Sequence, residues 1–453
     1  MASSALASPA PRPAPRGNRH PRACPAAAAA ASPVPRRLGA AARCRAVAAP
    51  AGPSPPGVAE RPEADVVVIG SGLGGLCCAG LLARYGQDVV VLESHDRPGG
   101  AAHSFDVKGF HFDSGPSLFS GFQSRGPQAN PLAQVLDALG ESVPCASYDS
   151  WMVHVPEGQF ESRIGPTDFL KDLETYVGLD ATREWQKLLD AVIPISAAAM
   201  ALPPLSIRGD LGILSTAAGR YAPSLLQSLI KMGPRGALGA TKLLRPFSEI
   251  VDSLELKNPF VRNWIDLLCF LLAGVKSDSA LSAEMVYMFA EWYKPGCKLE
   301  YPLGGSGAII DALVRGIEKF GGRLALNSHV EKILIENGRA VGVKLRGGQV
   351  MWKAVELALG PKFSREKCEV KLVGTPLTHK RFLRRNRGTY GPAIKAGEAT
   401  FLGQATPVPQ LFCCGNSAFP GIGVPAVAAS GAIVANTLVS VAQHSELLDA
   451  VGI

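Results

Sequence analysis

The sequence predicts an α/β fold, in which a Rossmann-like dinucleotide-binding domain is joined to a mixed α+β second domain. Two observations carry this: a βαβ pattern over residues 65–100, and a long stretch of helical period, 131–320, after which strand-like segments return. Asp65–Ile69 is a short β-branched run. It meets Gly70-Ser71-Gly72-Leu73-Gly74-Gly75, after which Leu76, Ala79, Leu82 and Ala83 recur at helical spacing and Asp88–Leu92 is strand-like again. Gly70 allows the tight turn, Gly72 lets the backbone approach a pyrophosphate, and Gly75 lets the helix pack closely on the strand. The phosphates of a dinucleotide would then sit at the helix's positive N-terminus, beside Leu73 and Gly74. Glu93 closes the second strand, where it can accept hydrogen bonds from an adenosine ribose.

Composition narrows the class. The chain has 453 residues, 47% of them hydrophobic, enough for more than one domain and a sizeable core. Its formal net charge of +8 is localised. No acidic residue precedes Glu60, whereas Arg12, Arg16, Arg19, Arg22, Arg36, Arg37, Arg43 and Arg45 supply eight positive charges; without them 38 basic residues face 38 acidic ones. Nucleic acid is therefore not the expected partner. Residues 1–60, rich in Ala, Pro, Ser and Arg and without an apolar h-region, have the composition of an organelle transit peptide, with a plain disordered basic tail as the alternative. Pro9, Pro11, Pro13, Pro15, Pro33 and Pro35 oppose a mitochondrial amphipathic helix, so a plastid is expected. Cys24 and Cys44 fall within that segment. The remaining cysteines, including Cys77-Cys78 and Cys413-Cys414, form no CxxC, so they read as small buried residues rather than metal or redox ligands. No metal site is expected.

Taken in order, Glu93-x-x-x-Arg97-x-Gly99-Gly100-x-x-x-Ser104 brings a second glycine pair and a fixed positive charge toward the phosphates. This extension resembles the one that distinguishes FAD-binding flavoproteins of the amine oxidase and phytoene desaturase superfamily from NAD dehydrogenases. Phe105–Ser117 reads as two short strands around a turn, then a Gly-Pro break; its FDSGPS resembles a segment that approaches the flavin ring in carotenoid desaturases and isomerases. His103 and His111 read as structural. From Ile193 to Glu249 the only acidic residue before Glu249 is Asp210, while Arg208, Arg220, Lys231, Arg235, Lys242 and Arg245 alternate with Met200, Leu202, Leu205, Ile207, Leu214, Leu225, Leu226 and Ile230. That pattern suits either docking on an anionic membrane surface or a solvated helical cap. No segment is read as spanning a bilayer; Trp264–Val275 is too short and contains Asp266.

Tyr301–Gly307 resembles the P-x-GG turn that introduces a helix, here Ala308–Phe320, in the same superfamily. A hairpin follows, His329–Ile335 and Arg339–Leu345 around Asn337-Gly338. In relatives the backbone near Val330 contacts the adenine; an ordinary buried strand residue is the alternative. Gln410–Cys414 reads as a strand, and Gly415-Asn416-Ser417-x-x-Pro420-Gly421-x-Gly423 opens a helix from Val424 whose free N–H groups can stabilise charge on a ligand. The superfamily has Asp where Asn416 stands, so that contact is expected in altered form.

From about Ala64 to Ala435 the chain resembles the plant carotenoid isomerase-like proteins of the prolycopene isomerase and bacterial-type phytoene desaturase group. The resemblance implies FAD as cofactor, a discontinuous FAD-binding domain (61–145, 301–350 and 405–445) and a helical substrate or membrane-facing domain (146–300). It implies a lipophilic polyene substrate, a peripheral plastid membrane surface or stroma, and an electron partner that the sequence does not name. Isomerisation with reduced flavin, desaturation, and oxidation of another lipophilic compound are the activities it allows, with a flavin-binding or membrane-associated protein without catalysis as the competing reading, and no catalytic side chain is assigned. Trp352, Val355 and Leu359 recur at helical spacing, and the segment resembles a helix that in relatives lies downstream of a further block, so the resemblance implies that 351–404 is a remnant of a substrate domain shortened by an internal deletion near Gln349–Trp352. The alternative makes Ala354–Leu359 a strand returning to the dinucleotide domain. The basic run Lys371–Tyr390 reads as a solvated or lipid-facing turn.

Overall fold

A computed structural model of the chain describes residues 61–107, 110–155, 158–228, 230, 241–347, 350–359 and 403–453. The segment 1–60 expected to be a transit peptide, the run Lys371–Tyr390 and most of 351–404 lie outside the described residues.

The chain begins with β1 (Glu63–Ile69), α1 (Leu73–Arg84) and β2 (Val89–Leu92), as the local pattern predicts. Alternation splits β1 between two cores: Val66 and Val68 pack under the helices, while Val67 joins Val90, Val330 and Val343 on the opposite face. Both faces being covered explains why these strands are continuous apolar runs. The β3–β4 hairpin (Ser104–Val107, Phe110–Asp113) and short β5 (Phe119–Ser120) follow. Helix α2 (Pro131–Leu139) starts where Asn130 caps Leu132 N–H and Pro131 needs no donor, and stops at Gly140 with φ 66°.

The middle of the chain is helical, with more sheet than its period predicts. Strands β6 (Cys145–Tyr148), β7 (Ser150–Val155) and β8 (Gly158–Arg163) precede α3 (Asp168–Tyr176), α4 (Leu179–Ala199), α5 (Gly212–Arg220), α6 (Ser248–Ser253), α7 (Pro259–Ala273) and α8 (Ser282–Trp292). β7 and β8 pair because the buried side chains Val153 and Phe160 face each other in register, a period-two signal hidden inside a longer helical window. These helices share a second core around Trp185, Phe247 and Phe289. At about 1.5–3 kcal/mol for each fully buried large apolar side chain, that cluster holds the helices together without help from the sheet.

β9 (Leu299–Pro302) pairs with β5 and β6, and α9 (Ser306–Lys319) returns the chain to the sheet. β10 (Arg323–Ala325), β11 (Val330–Glu336), β12 (Arg339–Leu345), β13 (Val350–Leu359) and β14 (Leu411–Cys413) complete it, followed by α10 (Val424–Thr437) and α11 (Val441–Ala450). The order is β10-β2-β1-β13-β12-β11, with β14 also on β13. Contacts among β10, β2, β1, β13 and β14 are parallel; β11–β12–β13 is antiparallel. Asn337 and Gly338 both have positive φ, as a two-residue hairpin turn with the strand's own twist requires.

One expectation is corrected here. Residues 350–359 form a strand, not a helix: the backbone pairs in parallel with β1 from Glu63↔Trp352 to Ile69↔Leu359 and antiparallel with β12. The spacing of Trp352, Val355 and Leu359 was overridden by sheet edges offering ladder partners on both sides. The chain thus passes from the hairpin directly into the central sheet.

The apolar and basic alternation of 193–249 also divides. Leu205 is buried under α2 and α10, and buried Arg208 clamps Asp210 and donates to the Val439 carbonyl. Arg220 pairs with Asp449, Arg245 with Glu249, and Lys242 donates to the Glu249 carbonyl. Leu214, Leu226 and Ile230 are exposed, and so is Leu211, at 83%. Lys231 and Arg235 lie outside the described residues. No helix among the described residues is long and apolar enough to cross a membrane.

Candidate functional site

The turn between β1 and α1 is built by contacts that only glycine permits. A Cβ on Gly75 would lie 2.3 Å from the Gly70 carbonyl oxygen, and one on Gly74 would lie 3.0 Å from the Gly415 backbone. Gly70 itself has φ 94°. Ser71 fastens the turn to the end of β2: its N–H and hydroxyl both donate to Glu93 Oε2, at 2.8 and 2.5 Å. Glu93 Oε1 accepts from His95 N–H at 2.9 Å. The Gly99 N–H donates to the Ser71 carbonyl at 2.9 Å, which draws the second glycine pair alongside the first. His103 Nδ1 bonds the Gly100 carbonyl at 2.7 Å and thereby holds that pair.

A third segment enters from the C-terminus. α10 crosses α1 at close range, because a Cβ on Gly431 would lie 2.3 Å from the Gly74 carbonyl. The crossing points the start of α10, Gly423-Val424, at the same space as the start of α1. Between the two lies a cavity of ≈ 520 Å³. Gly70, Gly72, Leu73, Gly74 and Gly75, Gly99 and Gly100, and Gly415, Asn416, Gly423 and Val424 all line it. The same cavity is lined by apolar residues of α7 and α8, Leu268, Leu271, Leu272 and Met288, together with Pro116 and Phe119 from the FDSGPS segment and its continuation.

Four sequence-predicted residues stand apart from this lining. Glu93 is buried but turned to Ser71, His95 and Ser94. Arg97 is 49% exposed and paired with Asp96. Val330 is buried in the sheet, two residues after Ser328, whose N–H donates to the Glu93 carbonyl. Gly421, with φ 125°, shapes the turn before α10. Of the histidines, His111 bonds Asp106 at 3.0 Å and the Gly304 carbonyl at 3.1 Å, which together raise its pKa. Cys77 and Cys78 are fully buried in the α1–α10 contact, and no metal-binding group of His, Cys, Asp and Glu exists among the described residues.

Several polar contacts around the site join segments distant in the chain. Asp113 accepts from Ser104 Oγ (2.6 Å), Tyr301 Oη (2.8 Å) and Ser306 N–H and Oγ (2.9 and 3.0 Å), tying the β3–β4 hairpin to the start of α9. Burial alone would raise its pKa, but these hydrogen bonds outweigh it and hold the carboxyl below its usual value. Glu284 accepts from Ile422 N–H at 2.9 Å, and burial pushes its pKa up to about 7. Tyr287 and Glu291 of α8 are polar members of the apolar wall. All three acids belong to elements that meet only after folding.

The glycine end fits a dinucleotide. The N–H groups of Leu73, Gly74 and Gly75 are in the first turn of α1 and have no intrahelical acceptor. Nothing lies within 4 Å of where a Cβ on Gly72 would stand, so an open cradle faces those donors. Residues 73–359 match the family of flavin containing amine oxidoreductases. The chain is 25% identical over 533 aligned residues to prolycopene isomerase 1, chloroplastic, of an Oncidium hybrid cultivar, with 87% of each chain covered. That alignment is longer than the chain itself, so part of the isomerase faces gaps. The chain is 26% identical over 298 residues to phytoene desaturase (neurosporene-forming) of Cereibacter sphaeroides, covering 65% of this chain and 53% of that protein. It is 26% identical over 304 residues to all-trans-retinol 13,14-reductase of Danio rerio, covering 63% and 45%. With more than half its length inside the family match and the glycine cradle open at two helix N-termini, the chain belongs to the flavin containing amine oxidoreductase family, and its cofactor is FAD.

Proposed function

We propose that this protein is a FAD-dependent enzyme acting on a long apolar polyene, most simply as a carotenoid cis-trans isomerase working with reduced flavin. The observation that carries the reading is one cavity lined both by glycines and helix N-termini and by apolar residues of α7 and α8. Isoprenoid polyenes are what the named relatives act on.

In this reading Gly72, Leu73, Gly74 and Gly75 present backbone N–H groups to the diphosphate beyond the tight turn at Gly70, whose own N–H donates to the Leu92 carbonyl, with Gly99 and Gly100 alongside. Glu93 holds Ser71 in place and keeps acceptor capacity for the ribose, since a carboxylate offers about four lone-pair sites. Arg97 adds positive charge beside the phosphates, and the backbone at Val330 meets the adenine. Gly415, Asn416, Gly421, Gly423 and Val424 form the third contact, where the N-terminus of α10 stabilises negative charge. Bound flavin supplies the electron chemistry, and isomerisation leaves no net redox change. The chain's own part is to position the polyene along Leu268, Leu271, Leu272 and Met288 and to exclude water. A plastid location agrees with the composition of residues 1–60 and with the relative named chloroplastic.

The test is to supply purified, flavin-loaded protein with a poly-cis carotene under reducing conditions and follow product geometry by chromatography. Geometric conversion at constant conjugation length supports the isomerase, and longer conjugation supports a desaturase. Bound flavin without turnover supports a second reading, a shortened substrate domain, which the gaps in the isomerase alignment favour.

A further inference from the structure

Ile422 stands one residue before the N-cap of α10, between Gly421 and Gly423, whose φ values of 125° and 95° favour glycine. Backbone of that kind takes many conformations, so its place depends on what grips it from outside. The Ile422 side chain is buried in a core whose other members lie between Trp151 and Tyr293. Its N–H donates to Glu284 Oε1, in the first turn of α8, at 2.9 Å. Three residues earlier, the side-chain amide of buried Gln404 donates to the Phe419 carbonyl at 2.5 Å.

What this turn carries is the start of α10, and that start has few donors. Pro425 has no N–H, and the Val427 N–H is taken by the Gly423 carbonyl. The first turn therefore offers the N–H groups of Val424 and Ala426, which have no intrahelical acceptor. Ile422, Gly423 and Val424 line the cavity, whereas Glu284 stands behind them. Two donors on one short turn meet a ligand squarely only while the turn keeps its place, because a hydrogen bond weakens steeply as its angle falls toward ~120°.

We infer that Glu284 is a positioning residue for the cofactor: by gripping the Ile422 N–H from the helical side of the molecule, it fixes where the first turn of α10 stands against FAD. It acts through the backbone and touches no ligand. The inference rests on FAD as the cofactor and is independent of which substrate the enzyme takes. Met288, one turn further along α8, lines the cavity, so the helix that shapes the apolar part of the cavity also sets the geometry of the cofactor end. A carboxylate that merely fastened two segments together would leave FAD binding untouched, because the Ile422 side chain and the Gln404 amide would still hold the turn.

Two variants separate the reach of this side chain from its charge. Glu284→Gln keeps an acceptor at the same distance and loses the charge, whereas Glu284→Asp keeps the charge and is one methylene too short. FAD is titrated at pH 8 into each apoprotein and followed by flavin fluorescence, the visible bands of the loaded proteins are recorded, and the apoproteins are melted in parallel. Glu284→Gln is expected to bind FAD within about threefold of wild type and to show the same bands, while Glu284→Asp is expected to bind about tenfold more weakly, the value of one misdirected hydrogen bond, with displaced bands. Wild-type affinity and bands in Glu284→Asp overturn the inference, and a lowered melting temperature alongside them assigns the contact to the fold alone. Glu284→Gln as weak as Glu284→Asp also overturns it, by assigning the effect to the charge. Wild-type protein that takes up no FAD sinks the cofactor assignment and this inference with it, whereas the other outcomes leave that assignment standing.

Discussion

Gly72→Ala separates cofactor binding from folding. Gly72 has φ −63° and ψ 164°, a conformation open to any L-residue, and its Cβ position has no heavy atom within 4 Å. An alanine there costs the apoprotein no contact, and by restricting the unfolded chain it should stabilise the fold by about 0.4–1 kcal/mol. The same methyl occupies the cradle through which the diphosphate approaches the first turn of α1. Losing one charge-assisted bond of about 1.5–3 kcal/mol weakens FAD binding by roughly 10- to 150-fold. Gly75→Ala is the contrast. Its Cβ would sit 2.3 Å from the Gly70 oxygen and 3.3 Å from Val68 Cγ1, so α1 must move away from β1. Overpacking of this kind costs about 1–3 kcal/mol with or without cofactor. Thermal melting of the two apoproteins, followed by FAD titration monitored through flavin fluorescence, gives both numbers. Gly72→Ala should melt at or above wild type and bind FAD poorly, while Gly75→Ala should melt lower. Wild-type FAD affinity in Gly72→Ala would refute the assignment of the diphosphate to this turn. A melting point as low as that of Gly75→Ala would refute the reading of an open cradle.

Further outcomes follow from other contacts. Gly431→Ala places a methyl 2.3 Å from the Gly74 oxygen, so the α1–α10 crossing must widen; apoprotein stability should fall by about 1–3 kcal/mol in chemical denaturation. Burial pushes the pKa of Glu284 up to about 7 in the folded protein, above the ordinary glutamate range, so between the two the folded protein holds a proton that the unfolded chain has lost. Its contribution is complete below the unfolded value and is lost as pH rises through 7. Glu284→Gln keeps an acceptor for Ile422 N–H and should therefore melt above wild type at pH 8, with the gap closing toward pH 5. Asp113 is the opposite case: its lowered pKa makes it stabilising above the ordinary carboxylate range, with the contribution lost as acid titrates the folded group. Asp113→Ala strands the donors of Ser104, Tyr301 and Ser306, should lose about 2–3 kcal/mol near neutrality, and should show a smaller acid-induced drop in melting temperature than wild type. Asn258→Ala removes the acceptor for Phe260 and Val261 N–H at the start of α7, for a loss of about 1 kcal/mol in denaturant titration.

The elements that were legible in sequence share a property: their conformation is decided within a few residues of themselves. The Gly70–Gly75 turn, the Asn337-Gly338 hairpin and the start of α10 at Val424 are fixed by turn chemistry that the chain cannot express otherwise. Residues 350–359 were not legible in this way. Their spacing fits a helix, and the strand follows from the open edges of β1 (Glu63–Ile69) and β12 (Arg339–Leu345), which lie far apart in the chain and offer it partners on both sides. The Ser150–Arg163 hairpin was likewise lost inside a helical window. Leu205 and Arg208, grouped by composition with surface residues, proved to be interior because α10 and the Val439 carbonyl close over them.

By itself the sequence determined the glycine turn and the two helix starts that share one cavity, because backbone N–H groups and missing Cβ atoms act at short range. Tertiary structure alone decided what else lines that cavity. The apolar residues of α7 and α8 and the Glu284 carboxyl raised toward neutrality depend on burial and on partners distant in the chain. Burial is a property of the packed molecule, and no local pattern of residues encodes which side chains will lose their water.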